Sequence, residues 1–196
     1  MQQIRDDMLC AAAAFGKTAA DMVYGEGPAG ARILLVGEAP GAEETRLSRP
    51  FVGKAGKNLD EFLRALELKR EDIYITNVVK FRPYKVSAKG TLSNRPPEKE
   101  EIRCMLPHLL REIEAAAPQV VVTLGNVPLK SLLGDSRAVI GACHAQPIAA
   151  AALSHVYTLF PLYHPASIIY NQALKSVYEQ DLQRLARYLS GNLIGS

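Results

Sequence analysis

A chain of 196 residues, 48% apolar and 22% charged, is long enough for one domain to bury a sizeable core. A formal charge of +3 is mildly basic and commits to no partner, so the placement of charge says more than its sum. No apolar run approaches a membrane span, and Arg5, Asp6 and Asp7 stand where a secretory leader needs its apolar stretch, which excludes a membrane partner and predicts a cytoplasmic protein. The three cysteines, Cys10, Cys104 and Cys143, are widely spaced. They read as reduced thiols and argue against both a disulfide framework and a four-cysteine metal site.

In chain order, residues 1–30 read as a helix followed by a glycine-containing loop. The β-branched and apolar run 33–36 predicts a strand buried on both faces, and 73–77, 120–124 and 157–161 predict three more. Helical spacing of Leu59, Phe62, Leu63 and Leu66 places a helix over 56–68. Ile102, Leu106, Leu109, Leu110 and Ile113 do the same over 98–116, a short helix is expected over 126–133, and the closing helix over 174–189. Residues 136–154 carry no clear pattern. This alternation predicts a single domain over 1–196, a three-layer α/β/α arrangement around a central four-stranded parallel sheet.

Parallel strands bring their carboxyl ends to one edge, where ligands usually bind. Three constellations fall there: residues 38–51 after the first strand, Asn77 after the second, and Tyr163-His164-Pro165-Ala166-Ser167 after the fourth. Two basic stretches share that edge, Arg46, Arg49, Lys54 and Lys57 within 45–59, and Lys80, Arg82, Lys85, Lys89 and Arg95 within 80–97, neither containing an acid. They are placed to track a phosphate backbone, the alternative being two solvated loops. A nucleotide-binding Gly-Lys-Ser/Thr loop or Gly-x-Gly-x-x-Gly turn is missing after the first strand.

Gly37-Glu38-Ala39-Pro40-Gly41, then Glu43-Glu44, then Arg49-Pro50-Phe51-Val52-Gly53-Lys54-Ala55-Gly56 together closely resemble the family 4 uracil-DNA glycosylases. Residues 74–80 with Arg82-Pro83, the strand 122–125, and His164-Pro165-Ala166-Ser167 extend the resemblance over nearly the whole chain. It implies a uracil-DNA glycosylase-like fold and a monofunctional enzyme of base-excision repair that flips uracil out of DNA and hydrolyses its N-glycosidic bond, leaving an abasic site. It also implies that Phe51 stacks on uracil, Asn77 pairs with its O4 and N3–H edge, and His164 supports O2 as the base departs. Ala39 stands where other uracil glycosylases place an aspartate. Glu38 is then the candidate for positioning water, and Glu44 for crowding the C5 side of uracil against thymine, either of them alternatively a solvated loop acid. DNA contacts fall to Arg49, Lys54, Lys80, Arg82, Ser167 and Ile168, with Ile168 or Ile169 as a minor-groove wedge.

Members of that family carry four cysteines around a [4Fe-4S] cluster. Here the four positions hold Cys10, Ala13, Phe81 and Cys104, so no cofactor and no metal site are expected. Phe81 is expected to pack against Ala13 and its neighbours. The partner expected is uracil-containing DNA, met by a monomer, with replication or repair proteins as the remaining class. A catalytically silent DNA- or nucleotide-binding relative is the competing reading, suggested by the lost cysteines and Ala39.

Overall fold

The computed structural model describes residues 1–193; the side chains at 168–170, 172 and 192–193 lie outside that description, as does the segment 194–196. A parallel sheet forms from β1 (Ile33–Gly37) and β2 (Tyr74–Asn77), with the hairpin strands β3 (Tyr84–Val86) and β4 (Leu92–Asn94) standing apart from it. β5 (Val120–Leu124), β6 (Ile148–Ala152) and β7 (His155–Leu162) complete the order β2-β1-β5-β7-β6. The four expected strands are the four parallel ones. A fifth, β6, pairs antiparallel with β7 and closes one edge.

Two short helices lie between these elements, α2 (Ala42–Leu47) after β1 and α6 (Ile140–Cys143) before β6. Alternation along the strands divides the core. Leu34, Val36, Val121 and Leu159 face one layer, built by α1 (Gln2–Ala12), α4 (Lys99–Ala116) and α5 (Asn126–Leu133) through Met8, Ala12, Leu109, Ile113 and Leu129. Leu35, Ile75, Val122 and Phe160 face the other, where α3 (Lys54–Ala65) and α8 (Lys175–Leu193) supply Leu59, Phe62, Leu182 and Leu185. Burial on both faces explains why β1 reads as an uninterrupted apolar run and β5 is broken only by Thr123. No helix among the described residues is long and apolar enough to cross a membrane.

The N-terminal segment is tied to the stretch after β2. Met22 bridges Phe81, the Val23 N–H donates to the Lys80 carbonyl at 2.6 Å, and Glu26 bridges Ile75 at the sheet edge. Phe81 is fully buried with its ring 5.6 Å from that of Phe15, and the Cys104 thiol rests 3.6 Å from the Ala11 carbonyl.

Candidate active site

The register Gly37↔Asn77 sets the ends of β1 and β2 side by side, and β7 runs out into His164 two strands away. A cleft of about 440 Å³ opens over this edge, walled by Ala39, Glu44, Phe51, Lys54, Asn77 and His164 among others. Those residues come from four separate stretches, and the parallel topology alone brings them together.

Phe51 and Asn77 form the floor. Asn77 is 3% exposed, and its amide makes no hydrogen bond among the described residues. A Cβ at Gly37 would collide with Asn77 Oδ1 and the Phe51 ring, so only glycine there lets both lie across the strand end. The Phe51 backbone is left-handed at φ 53°, a conformation costly for a bulky residue, and something must hold it. Arg70 does so. Its guanidinium donates to the Phe51 carbonyl, to the Pro50 carbonyl at 3.3 Å and to Asp60 at 2.7 Å. Sequence reasoning missed Arg70, because it acts through backbone carbonyls and belongs to no motif.

His164 closes the cleft opposite, its ring 6.2 Å from the Phe51 ring and inclined by 26°. Its Nδ1 accepts the Ala166 N–H at 3.1 Å, which leaves the proton of the neutral imidazole on Nε2. Burial lowers its pKa to about 4, so the ring is neutral at physiological pH. Its loop leads into α7 (Pro165–Tyr170), tied to α3 where Asn58 Nδ2 donates to the Pro165 carbonyl at 3.1 Å.

The carboxylates divide by partner. Glu44, 9% exposed, accepts the Gly41 N–H at 3.1 Å and the Gly53 N–H at 2.7 Å, clamping the two loops that flank Phe51. Glu43 pairs with Arg46 on the surface. Glu38 is half-buried, has no ion pair or hydrogen bond to its carboxylate among the described residues, and is not part of the cleft wall; burial raises its pKa. Ala39 lines the cleft as expected.

The expected DNA cations separate more sharply. Lys54 is exposed on the cleft wall, and Arg82 lies nearby with its Nε donating to Asn94 Oδ1 at 2.7 Å. Arg49 instead points to a second groove, in a bidentate pair with Glu26 at 2.9 and 2.6 Å. Ser167 lies on α7 outside the cleft wall, and the Ile168 and Ile169 side chains fall outside the described residues. Lys80 cannot contact DNA, which corrects the sequence expectation. It is fully buried, with Nζ 2.5 Å from each of Thr76 Oγ1, the Asn77 carbonyl and Glu112 Oε2. Tyr74 Oη and Thr76 Oγ1 also donate to Glu112, at 2.9 and 3.1 Å. Burial lowers the Lys80 pKa, and the Glu112 carboxylate opposes that shift. Lys80 therefore steadies Asn77 from behind the sheet.

The four positions that would hold a cluster do not fit one. Two thiols are too few, the Cys104 thiol has its pKa raised by burial, and the Phe81 ring occupies the third position inside the apolar core. No group of three or more His, Cys, Asp or Glu side chains suited to a metal ion occurs among the described residues.

Comparison with known proteins agrees with this geometry. The family model of the Uracil DNA glycosylase superfamily matches residues 24–186. A type-4 uracil-DNA glycosylase of Sulfurisphaera tokodaii is 34% identical over 190 residues, covering 94% of this chain and 83% of the relative. Those of Saccharolobus solfataricus and Archaeoglobus fulgidus are each 35% identical, over 98% and 93% of this chain and 86% and 89% of their own lengths.

Proposed function

This chain belongs to the uracil DNA glycosylase superfamily and hydrolyses the N-glycosidic bond of uracil in DNA, a step of DNA repair; from that premise we propose how its cleft works. The observation that carries the reading is the triangle of Phe51, Asn77 and His164 around one cleft. Uracil flipped from DNA stacks on Phe51, and the unpartnered Asn77 amide donates to O4 and accepts from N3–H. Cytosine offers the opposite pattern at those atoms, so its binding leaves buried groups unpaired and costs on the order of 1–3 kcal/mol for each.

As the bond from C1′ to N1 lengthens, the sugar gains oxocarbenium character and the base collects negative charge. His164 Nε2–H donates to O2 and stabilises that charge as a neutral ring. The sequence is completed when water adds its oxygen to C1′ and gives up a proton that passes by way of Glu38 to the departing uracil anion, leaving an abasic sugar and free uracil. Glu38 stands outside the cleft wall but directly beside the cleft-lining Ala39 at the end of β1, and we assign it to water because Glu44 and Glu43 are engaged elsewhere. Glu44 shapes the pocket by fixing Gly41 and Gly53, and through that wall it crowds the C5 side of uracil. Lys54 and Arg82 supply phosphate contacts.

We also propose that the chain works without an iron-sulfur cluster, as a cytoplasmic monomer whose further partners are replication or repair proteins. The Phe15–Phe81 pair and the Met22–Phe81 bridge supply the tie between the N-terminal segment and the stretch after β2. The test pairs two assays on protein purified anaerobically. Abasic sites should appear in uracil-containing oligonucleotides and not in matched cytosine or thymine ones, with iron and labile sulfide at background. No cleavage by folded, DNA-binding protein would favour the silent relative, and about one cluster per chain would overturn the cluster-free reading.

A further inference from the structure

Three of the eight large apolar side chains exposed among the described residues, Tyr84, Val86 and Leu92, lie on the β3–β4 hairpin. The pairs Tyr84↔Asn94 and Val86↔Leu92 fall on one face by strand alternation, and Lys85↔Ser93 falls on the other. Val86 and Leu92 are 60% and 48% exposed, so much of this face is left open by the described residues. A small exposed ribbon has little stability of its own, and an apolar surface left open beside a cleft marks a contact site.

The root of the hairpin is fixed and its end is free. Arg95 is bound bidentately by Glu101 of α4 at 2.7 and 2.8 Å, and its Nε donates to the Tyr84 carbonyl at 3.2 Å. Lys17 Nζ lies 4.6 Å from the centre of the Tyr84 ring. The tip turns at Gly90, with φ 78° and the Gly90 N–H donating to the Ser87 carbonyl at 2.9 Å. Lys85 and Lys89 make no ion pair among the described residues, and no acid occurs between residues 80 and 97. Asn94, at the base of the apolar face, lines the cleft itself.

We infer that the hairpin spanning 84–94 is a DNA-gripping arm. Val86 and Leu92 take the unstacked bases and sugars beside the flipped uridine, while Lys85 and Lys89 hold the adjoining phosphates. Charge selects this occupant, since an all-cationic ribbon suits a polyanion, and Asn94 makes the apolar face continuous with the uracil cleft. The inference rests on the proposed function, because it takes the cleft as the place where the base is received.

Two paired variants test it, Lys85→Ala with Lys89→Ala, and Val86→Ser with Leu92→Ser, in the full chain beside wild type. Binding to a uracil-containing single-stranded oligonucleotide is measured by fluorescence anisotropy across a salt series, with inhibition by free uracil measured on the same proteins. The lysine pair should weaken binding about tenfold at low salt and reduce the slope of log affinity against log salt by ~1.4, at about 0.7 per phosphate contact. The apolar pair should weaken binding several-fold with the slope intact. Inhibition by free uracil should stay at the wild-type value in both. Wild-type affinity and slope in the two variants would overturn the arm while leaving the glycosylase reading standing. Loss of binding in the variants of a wild type that cleaves nothing would support the arm and sink the glycosylase reading. Melting temperatures near wild type in both variants exclude unfolding as the cause, because all six strand residues of the hairpin are exposed.

Discussion

Arg70 tests whether the strained Phe51 backbone is part of the machinery. A left-handed conformation costs a residue with a Cβ roughly 1–2 kcal/mol, whereas a hydrogen bond from a charged donor contributes about 1.5–3 kcal/mol. The guanidinium bonds to Phe51 and Pro50 therefore outweigh the strain, and Arg70→Ala reverses the balance. The Arg70 side chain is 29% exposed, so water recovers part of the loss. We expect a net penalty of about 1.4–2.8 kcal/mol in transition-state binding, a 10- to 100-fold fall in the single-turnover rate at subsaturating enzyme. Free uracil should inhibit the variant correspondingly less. A double-mutant cycle gives the sharper readout: in a Phe51→Ala background, Arg70→Ala should cost less than about twofold, because the ring it positions is gone. Wild-type rates in Arg70→Ala, or a full second loss in the double variant, would show that Arg70 does not act through Phe51.

Lys80→Met should destabilise the fold by about 3–5 kcal/mol, because Glu112 is left buried without its cation; a denaturant titration measures this. Lys80→Met combined with Glu112→Leu should recover most of that loss. For His164 the folded pKa of about 4 lies below the ordinary 6.5, so the unfolded chain binds more protons between those values. The stability the neutral ring contributes is thus complete above pH 6.5 and is lost as pH falls toward 4; the decline across that window should be shallower in His164→Gln, whose side chain does not titrate. Glu44→Gln replaces an acceptor oxygen by an NH2 group that faces either the Gly41 or the Gly53 N–H, and the uracil cleavage rate should fall at least tenfold with the salt slope of DNA binding unchanged.

Much of the architecture was legible because burial on both faces leaves a clear trace: the run at 33–36 is apolar throughout, 120–124 is apolar but for Thr123, and every residue of β1 and β5 is buried. The edge strand β6 escaped because Ile148–Ala152 is alanine-rich and only its last residue is buried. Asn77 and His164 were legible at strand ends and Phe51 in the stretch after β1, all three carried by a family resemblance, and the fold brings them to one cleft. Lys80 misled for a physical reason. A lysine counted within a basic stretch is taken as solvated, and the partner that draws it inward, Glu112, lies 32 residues away on α4. Its neighbours Val78, Val79 and Phe81 are all buried, and that apolar setting was the available signal. Arg70 left no such trace, since backbone carbonyls are the same in every sequence.

The most direct test of the account is single-turnover cleavage of a uracil-containing oligonucleotide by wild type, Asn77→Ala and His164→Ala, scored as abasic sites with folding checked by circular dichroism. The account predicts uracil-only cleavage by wild type and a fall of at least 100-fold in each folded variant, about 2.7 kcal/mol or more of transition-state stabilisation. Near wild-type rates in either variant would contradict the roles assigned to the cleft.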